Sequence, residues 1–507
     1  MNCGHQCWGK WGRLSALLVL WAGPALSSED VAAQRLSEAR ALYGSGQYFK
    51  AARYAFNAGE ENPARKAEAQ AFVAQALVQG GLEQSAAYFF LQTLRSGNRE
   101  AIRRVLLLSD QVIRGVGLEF VRPYLVKYAR AEDFSSGDRA YFLYAAARTA
   151  GLQGDFSAGI AYLSEISAGS KLRAELLQLR ATYKLVTGNP QGAKEDFRGC
   201  ASSAKETSDL WNRCTAGEAR SLYELGDFSG AERAYEKVSR QSIVWTDILF
   251  EQAWNAYRRA EYNRTLGRLV SYKSPALSFV HNPEIDTLRA QSYLALCLYE
   301  DANNEVNEFN SRYSSLSEEV KKLLLKGSAT LGGLYDQGKE AARAPLTSNR
   351  PLHKVMNRFV RSAAFQDWMR SERELSVELG NIQQFAASTQ NLESGSATFA
   401  DFLRKVLDFR LKAIREMGGA FVRNSLLDHH DQLIGQFEKM AFIKLEMLSR
   451  FKERLMSRKS APTERERGNV VPVRRDDQFF WSFNGEFWND ELGDYVFGLE
   501  SECNGKS

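Results

Sequence analysis

Leu222–Val238 reads LYELGDFSGAERAYEKV, and its reading decides the fold. Gly226 ends one apolar-periodic run. Phe228 follows at +2, Ala231 at +5 and Tyr235 at +9, which is the start of a second helix packed back on the first. Glycine accepts the left-handed conformation that closes a helix, and Asp227 caps the next one. The frame recurs at Gly46-Tyr48-Ala51, Gly80-Leu82-Ser85-Phe89, Gly154-Phe156-Gly159, Gly188-Pro190-Ala193-Phe197 and Ala260-Tyr262-Thr265-Leu269. A looser copy places Cys297 at the glycine position, with Tyr299, Ala302 and Val306. Anchor spacings are 34, 74, 34, 38, 34 and 37. The gap of 74 is two periods, so a degenerate unit is expected near Gly115–Tyr128, making eight in all.

A period of this length, in a chain of 507 residues with only ten prolines, describes a solenoid that grows by stacking rather than by enlarging one core. Apolar residues recur at helical spacing nearly throughout, so the class is all-α. The repeated frame resembles the tetratricopeptide-repeat (TPR) superfamily over residues 28–313. That resemblance implies a right-handed TPR-like α-solenoid with a protein-binding, non-catalytic role.

Residues 1–27 read as a cleavable export signal: Lys10 and Arg13, then the apolar Leu14–Ala22, then Ala25-Leu26-Ser27. No later stretch approaches the roughly 20 apolar residues of a membrane-spanning helix. The expected location is therefore periplasmic. Removing Lys10 and Arg13 takes the formal charge from +5 to +3, a balance that suggests no nucleic acid. Four cysteines follow the signal. Cys200 closes one second helix and Cys214 opens the next first helix, so an oxidising compartment would let them pair, or they pack as two buried thiols. Cys297 reads as a plain buried thiol.

Residues 314–344 read as one or two capping helices, and 345–351 (PLTSNRP) as a linker. Residues 352–458 read as a long helical hairpin. Its second arm carries Phe399, Val406, Ala413, Ala420, Leu427, Ile434, Ala441, Leu448 and Leu455 at strict seven-residue spacing. Such a stripe implies coiled-coil packing, against the preceding helix or another subunit. Gly418-Gly419 reads as a kink. Residues 459–478 form a charged linker. Within 479–507, the segment 479–497 holds eight aromatics interleaved with Glu486, Asp490, Glu491 and Asp494.

Catalytic patterns fail on their chemistry. Gly333-x-x-x-x-Gly338-Lys339 mimics a phosphate loop, but Glu340 replaces the Ser or Thr that magnesium needs and no strand precedes it. A helix end is expected there. His429 and His430 are adjacent and diverge by about 100° on a helix, so they cannot share a metal from one face. They are expected as solvated or seam histidines. No nucleophile elbow occurs. The expectation is a protein with no enzyme activity, no metal and no cofactor.

In a TPR array the positions six and three residues before the anchor glycine point into the groove. They give Arg40 and Tyr43, Arg148, Arg220 and Tyr223, Trp254 and Tyr257, with Arg258 one step on. Guanidinium forks beside aromatic faces suit carboxylates and rings. The tail residues Trp481, Phe483, Glu486 and Trp488 are expected to dock on the same chain, either in this groove or against the long hairpin. The tail sequence from Phe480 to Tyr495 is similar to the W-x-F-x-G-E-[YF]-W-x-D-E-L-G-x-Y ending of exported TPR proteins of predatory and gliding bacteria. That likeness implies a periplasmic scaffold for the partners of a cell-envelope complex, including gliding-motility machinery. The alternative is a regulator or chaperone of a cell-wall enzyme, with peptidoglycan contacted by the aromatic tail.

Overall fold

The computed structural model describes residues 28–167, 169–170, 172–325, 330–348, 350–389, 396–457 and 485–503. The proposed signal (1–27), the charged linker (459–478), Trp481 and Phe483 lie outside the described residues.

The repeats run as α1 (Ser28–Gly44), α2 (Tyr48–Glu61), α3 (Lys66–Gln79) and α4 (Glu83–Arg95). A unit of three short helices follows: α5 (Arg99–Leu106), α6 (Ser109–Val116) and α7 (Leu118–Tyr128). Paired helices then resume as α8 (Arg139–Leu152), α9 (Phe156–Leu163), α10 (Arg173–Val186), α11 (Pro190–Ser203), α12 (Asp209–Glu224), α13 (Phe228–Tyr235), α14 (Trp245–Arg258), α15 (Tyr262–Val270), α16 (Glu284–Ala295) and α17 (Tyr299–Leu325). Most of these helices pack chiefly on their sequence neighbours, while α5 leans on α3, α6 on α4, and α17 shares its surface between α16 and the later helix Ser396–Ser457. The described residues contain no strand, and the fold is an all-α, TPR-like solenoid.

The turn chemistry repeats at atomic level. Left-handed residues stand at Gly46, Gly81, Gly117, Gly154, Gly188 and Gly226, and at the non-glycine positions Ala260 and Cys297. In seven of these turns the amide after that residue reaches back to a carbonyl five residues earlier: Gln47 to Leu42, Leu82 to Leu77, Asp155 to Ala150, Asn189 to Lys184, Asp227 to Leu222, Glu261 to Ala256 and Leu298 to Tyr293, at 2.8–3.0 Å. This is the bond that satisfies an orphaned helix-end carbonyl. Asp155, Asn189 and Asp227 accept from backbone amides three residues on, at 2.7–2.9 Å, and start the second helices. In the second unit the left-handed residue is Gly81, one later than the anchor assigned from sequence. Cys200 and Cys214 are disulfide-bonded across α11 and α12, with Cα atoms 5.9 Å apart.

Beyond the repeats lie α18 (Leu331–Arg343), α19 (Pro351–Val360), α20 (Ala363–Thr389) and α21 (Ser396–Ser457). The expected boundary at 313/314 is absent, because α17 runs through it as one 27-residue helix. Nor does 352–458 stand alone as a hairpin. At 62 residues and 1.5 Å per residue, α21 is about 90 Å long. It packs on α2 and α4 near its start, α18 and α20 along its middle, and α16 and α17 near its end. One apolar core therefore joins residues 32–145, 290–320 and 334–447, while the intervening repeats keep smaller cores of their own.

The heptad stripe is the buried face of α21 only at its start, where Phe399 and Val406 are buried and Ala413 and Ala420 half-buried. Leu427 and Ile434 are 38% and 41% exposed, and Leu448 is half exposed. The inward line is Leu403, Leu407, Arg410, Ile414, Gly418, Val422, Leu426, His429, Leu433, the half-buried Phe437, then Met440, Ile443 and Met447. Twelve steps over 44 residues give about 3.7 residues per step, the pitch of an ordinary helix rather than a left-handed coiled coil. Gly418-Gly419 is not a break either, since α21 continues through it. A Cβ on Gly419 would lie 1.8 Å from the Leu331 carbonyl oxygen, and one on Gly418 would lie 2.4 Å from the Tyr335 ring. The pair is where α18 and α21 cross.

Two buried polar joints fasten α20 and α21 to the repeats. Glu378 of α20 accepts the amides of Gln84 (2.9 Å) and Ser85 (2.7 Å), capping the free N-terminus of α4 from another helix. Burial pushes its carboxyl up to about 7. Nearby, Arg410 of α21 lies 3.3 Å over the Phe120 ring and donates to Gln84 Oε1 and the Val116 carbonyl. Burial pushes its guanidinium down to about 9. Farther along, His429 is not solvated. It is buried with its Nε2 3.0 Å from Nε2 of His281, in the loop before α16.

Two outcomes follow. Leu426→Asp and Leu433→Asp bury an unpaired carboxylate and should lower stability by at least about 3 kcal/mol, whereas Leu427→Asp should barely move the urea midpoint. Equal effects at Leu426 and Leu427 would refute the assigned face. Burial and then mutual repulsion, with Arg358, Lys354 and Arg312 nearby, hold His281 well below its usual pKa. Burial, Arg358 and His430 hold His429 at about 4. The unfolded chain takes up protons below about pH 6.5 that the folded pair refuses, so the pair's own contribution to stability should fall as pH drops from about 6.5 toward about 4. Glu378 contributes in the opposite sense, because its raised carboxyl favours the folded state as it protonates. His429→Gln should remove the histidine contribution, so the stability difference between wild type and variant in urea melts should shift against the wild type as pH drops. A pH-independent difference would assign the effect to other groups.

Candidate interaction surfaces

The proposed groove arginines are already engaged, three of them with carboxylates of adjoining helices. Arg40 on α1 pairs with Glu68 on α3 at 2.8 Å, and Arg148 on α8 lies 3.5 Å from Glu119 on α7. Arg220 on α12 holds Glu251 on α14 through two bonds of 2.9 and 2.7 Å. These pairs tie neighbouring repeats together, so their forks are committed to the solenoid. Tyr43 packs on Tyr48 and Phe72, and its hydroxyl accepts from Gln75. Arg40, Tyr43 and Arg148 thus belong to separate repeats from the rest.

The structure brings together the other members. Arg258 stacks over Tyr223 (5.8 Å) and Phe228 (5.4 Å), with no carboxylate partner among the described residues. Tyr223 and Phe228 meet edge to face at 5.4 Å, as do Trp254 and Tyr257 (5.5 Å) and Tyr257 and Tyr262 (5.4 Å). Burial raises the Tyr223 and Tyr257 hydroxyls above their usual pKa, so both are neutral donors. One exposed guanidinium on a half-buried aromatic floor can clamp a carboxylate while its neighbours take an apolar or aromatic side chain. Phe228 and Tyr262, at the turn after each first helix, were missed because only positions before the anchor were read as groove.

The tail docks on its own chain, but on neither surface proposed for it. Residues 485–503 lie across α14–α17. Phe487, Leu492 and Tyr495 pack with Trp245, Leu249 and Leu277, and Phe497 and Leu499 pack with Leu266, Leu296 and Leu298. Asn263 grips the extended segment. Its carbonyl accepts from Phe497 N (2.9 Å), and its side chain accepts from Leu499 N and donates to the Leu499 carbonyl, both at 3.0 Å. Gly493 N donates to Ser271 Oγ at 2.9 Å, and Arg240 pairs with Asp494 at 2.6 Å. Cys503 is disulfide-bonded to Cys297, with Cα atoms 5.0 Å apart, which corrects the reading of Cys297 as a free thiol. Trp488 is 59% exposed and Glu486 is exposed, so neither anchors the tail. Alternation at Tyr495, Phe497 and Leu499 was the available signal for an extended, one-sided segment.

The phosphate-loop mimic starts in the first turn of α18, where Gly333 N donates to the capping Thr330 hydroxyl at 3.1 Å, and runs on into the helix. Gly338 packs on Phe365 and Val422, and Lys339 pairs with Glu372 at 2.8 Å. Among the described residues no cluster of three His, Cys, Asp or Glu could hold a metal ion. No described helix is long and apolar enough to cross a membrane.

The tail site turns on Gly267, where a Cβ would fall 1.9 Å from the Tyr495 carbonyl oxygen. Gly267→Leu should therefore lift the tail and leave Cys297 and Cys503 open to alkylation without prior reduction, while Cys200 and Cys214 stay protected. Intact mass after alkylation reads this directly, and full protection of all four thiols would show that the tail does not need this approach.

No protein-family model matches this chain, and no curated protein matches it. Among solved structures it is similar to the TPR domain of P58(IPK), at 13% identity, covering 75% of this chain and 99% of that one with a TM-score of 0.18. It is also similar to a circular tandem repeat protein of novel repeat topology, at 14% identity, 82% and 91% coverage and a TM-score of 0.14. Likenesses at these scores carry no argument about function; the helix pairs and turns described above carry the fold.

Proposed function

We propose that this protein is a non-catalytic, exported scaffold that holds a protein partner of a cell-envelope complex on the face formed by α12–α15. The observation that carries the reading is Arg258, stacked on Tyr223 and Phe228 without a carboxylate partner among the described residues, while Arg40, Arg148 and Arg220 are each paired. A partner segment with a carboxylate beside an aromatic or aliphatic side chain matches this floor.

Export is supported by the leader-like residues 1–27 and by two disulfides, one closing a span of 206 residues, which persist in oxidising compartments. Placement in an envelope complex, including one of the gliding type, is supported by the likeness of the tail sequence Phe480–Tyr495 described above. The second reading, regulation of a cell-wall enzyme, is favoured by Trp488. Its exposed indole offers a face of the kind that stacks on sugar rings.

The test is crosslinked capture from the native envelope, followed by titration of the partner found. Arg258→Glu and Trp254→Ala should each weaken binding roughly 10- to 100-fold, while Arg40→Glu changes it little. Undiminished affinity in both variants would remove α12–α15 as the binding face.

A further inference from the structure

The C-terminal half of α21 is apolar on two faces. Leu433, Met440 and Met447 are buried against the protein, yet Ile434, Ala441, Leu445 and Leu448 face solvent, with Leu445 63% exposed. At 100° per residue these four fall within about 60° of one another, forming a continuous seam rather than scattered exposed side chains. Ile434, Ala441 and Leu448 stand at seven-residue intervals, the spacing that lets one helix follow another.

Charge along the seam is polarised. Asp431 and Glu438 precede Ala441, and Lys444 and Lys452 follow it, all exposed and within about 80° of the seam's centre. None has a lysine or arginine partner among the described residues; Asp431 has only His430, at 3.9 Å. Some other charges on the same helix are paired, as in Arg404–Asp401, Arg450–Glu446 and Lys439–Glu284. A partner helix in parallel register would set acid against acid. The same helix turned end for end sets the acidic half against the basic half.

We infer that this seam binds a second copy of the chain in antiparallel register about a two-fold axis at Ala441. Ile434 then meets Leu448 of the second copy, and Asp431 meets Lys452 of the second copy, each contact occurring twice as a two-fold interface requires. Ala441, the smallest side chain of the seam, lies where the helices approach most closely. The buried face of α21 is untouched, so each chain keeps its own fold. A dimer built this way carries two α12–α15 faces and can hold two partner molecules.

The experiment is the mass of the full, disulfide-intact chain in solution by light scattering or sedimentation across a range of concentrations. The expected mass is that of two chains. Ile434→Asp with Leu445→Asp should give single chains with unchanged helicity and melting, because both positions face solvent in the monomer. Asp431→Lys alone and Lys452→Asp alone should each raise the dimer dissociation constant roughly tenfold or more. The two together should restore it, because the pairing is then reversed rather than lost. Single chains at every concentration, or a double charge swap that fails to restore the dimer, would overturn the inference. So would a dimer that survives the two seam aspartates, and a single chain whose seam is covered by its own residues 458–484.

Discussion

The arrangement of α18, α20 and α21 depends on the close crossing of α18 and α21 at Gly418-Gly419. Stacked repeats satisfy one another laterally but leave an apolar face at each end. Here both ends are met by one helix, which starts among Phe49, Phe56 and Phe89 and finishes against Phe309 and Tyr299. A side chain at either glycine would push α18 off α21 at that crossing. Tyr335 would lose its place beneath the crossing, and with it the contact to Phe365 that carries packing on to α20.

The polar joints along α21 are of a kind that sets register more than it adds stability. Glu378 satisfies the two amides that open α4, and Arg410 fills its place with one guanidinium nitrogen left without a partner. Burying such groups costs desolvation that their hydrogen bonds repay only when every helix is in place. A slip of α20 by one residue would leave the buried Glu378 carboxyl and the two α4 amides without partners, so the joint selects one alignment of the strut over its neighbours. The His281–His429 contact does the same at the far end, and its pH dependence comes from the same desolvation.

Much of the repeat architecture was legible because its information is local. A left-handed residue, a capping Asp or Asn and small residues at set depths occupy about ten positions, and the same backbone bond appears even where Ala260 and Cys297 replace glycine. What could not be read was non-local. The heptad at Leu427, Ile434 and Leu448 is real in sequence, but periodicity cannot say which of two apolar stripes on one helix faces the protein. Leu426 and Leu433, one residue away on each turn, turned out to face inward. Cys297 pairs across 206 residues, a separation over which spacing carries no signal. The groove arginines were readable as residues on one face, but the carboxylates that occupy three of them lie one repeat away.

The docked tail changes what the solenoid can do. By covering Trp245, Leu249, Leu266 and Gly267 and locking itself through Cys503, it closes that side of α14 and α15 while Arg258 stays exposed. The same segment leaves Trp488 outward and spends Asp494 on Arg240. An aromatic-acidic sequence that looks made to seek a partner is, over residues 487–499, largely a structural brace. Recognition then falls to what the brace leaves open: the aromatic floor under Arg258 on one side and the seam of α21 on another. The two surfaces differ in chemistry, one a cation on rings and the other an aliphatic line with polarised charge. A single ligand cannot satisfy both, which is why the first suits a foreign segment and the second suits the chain's own copy.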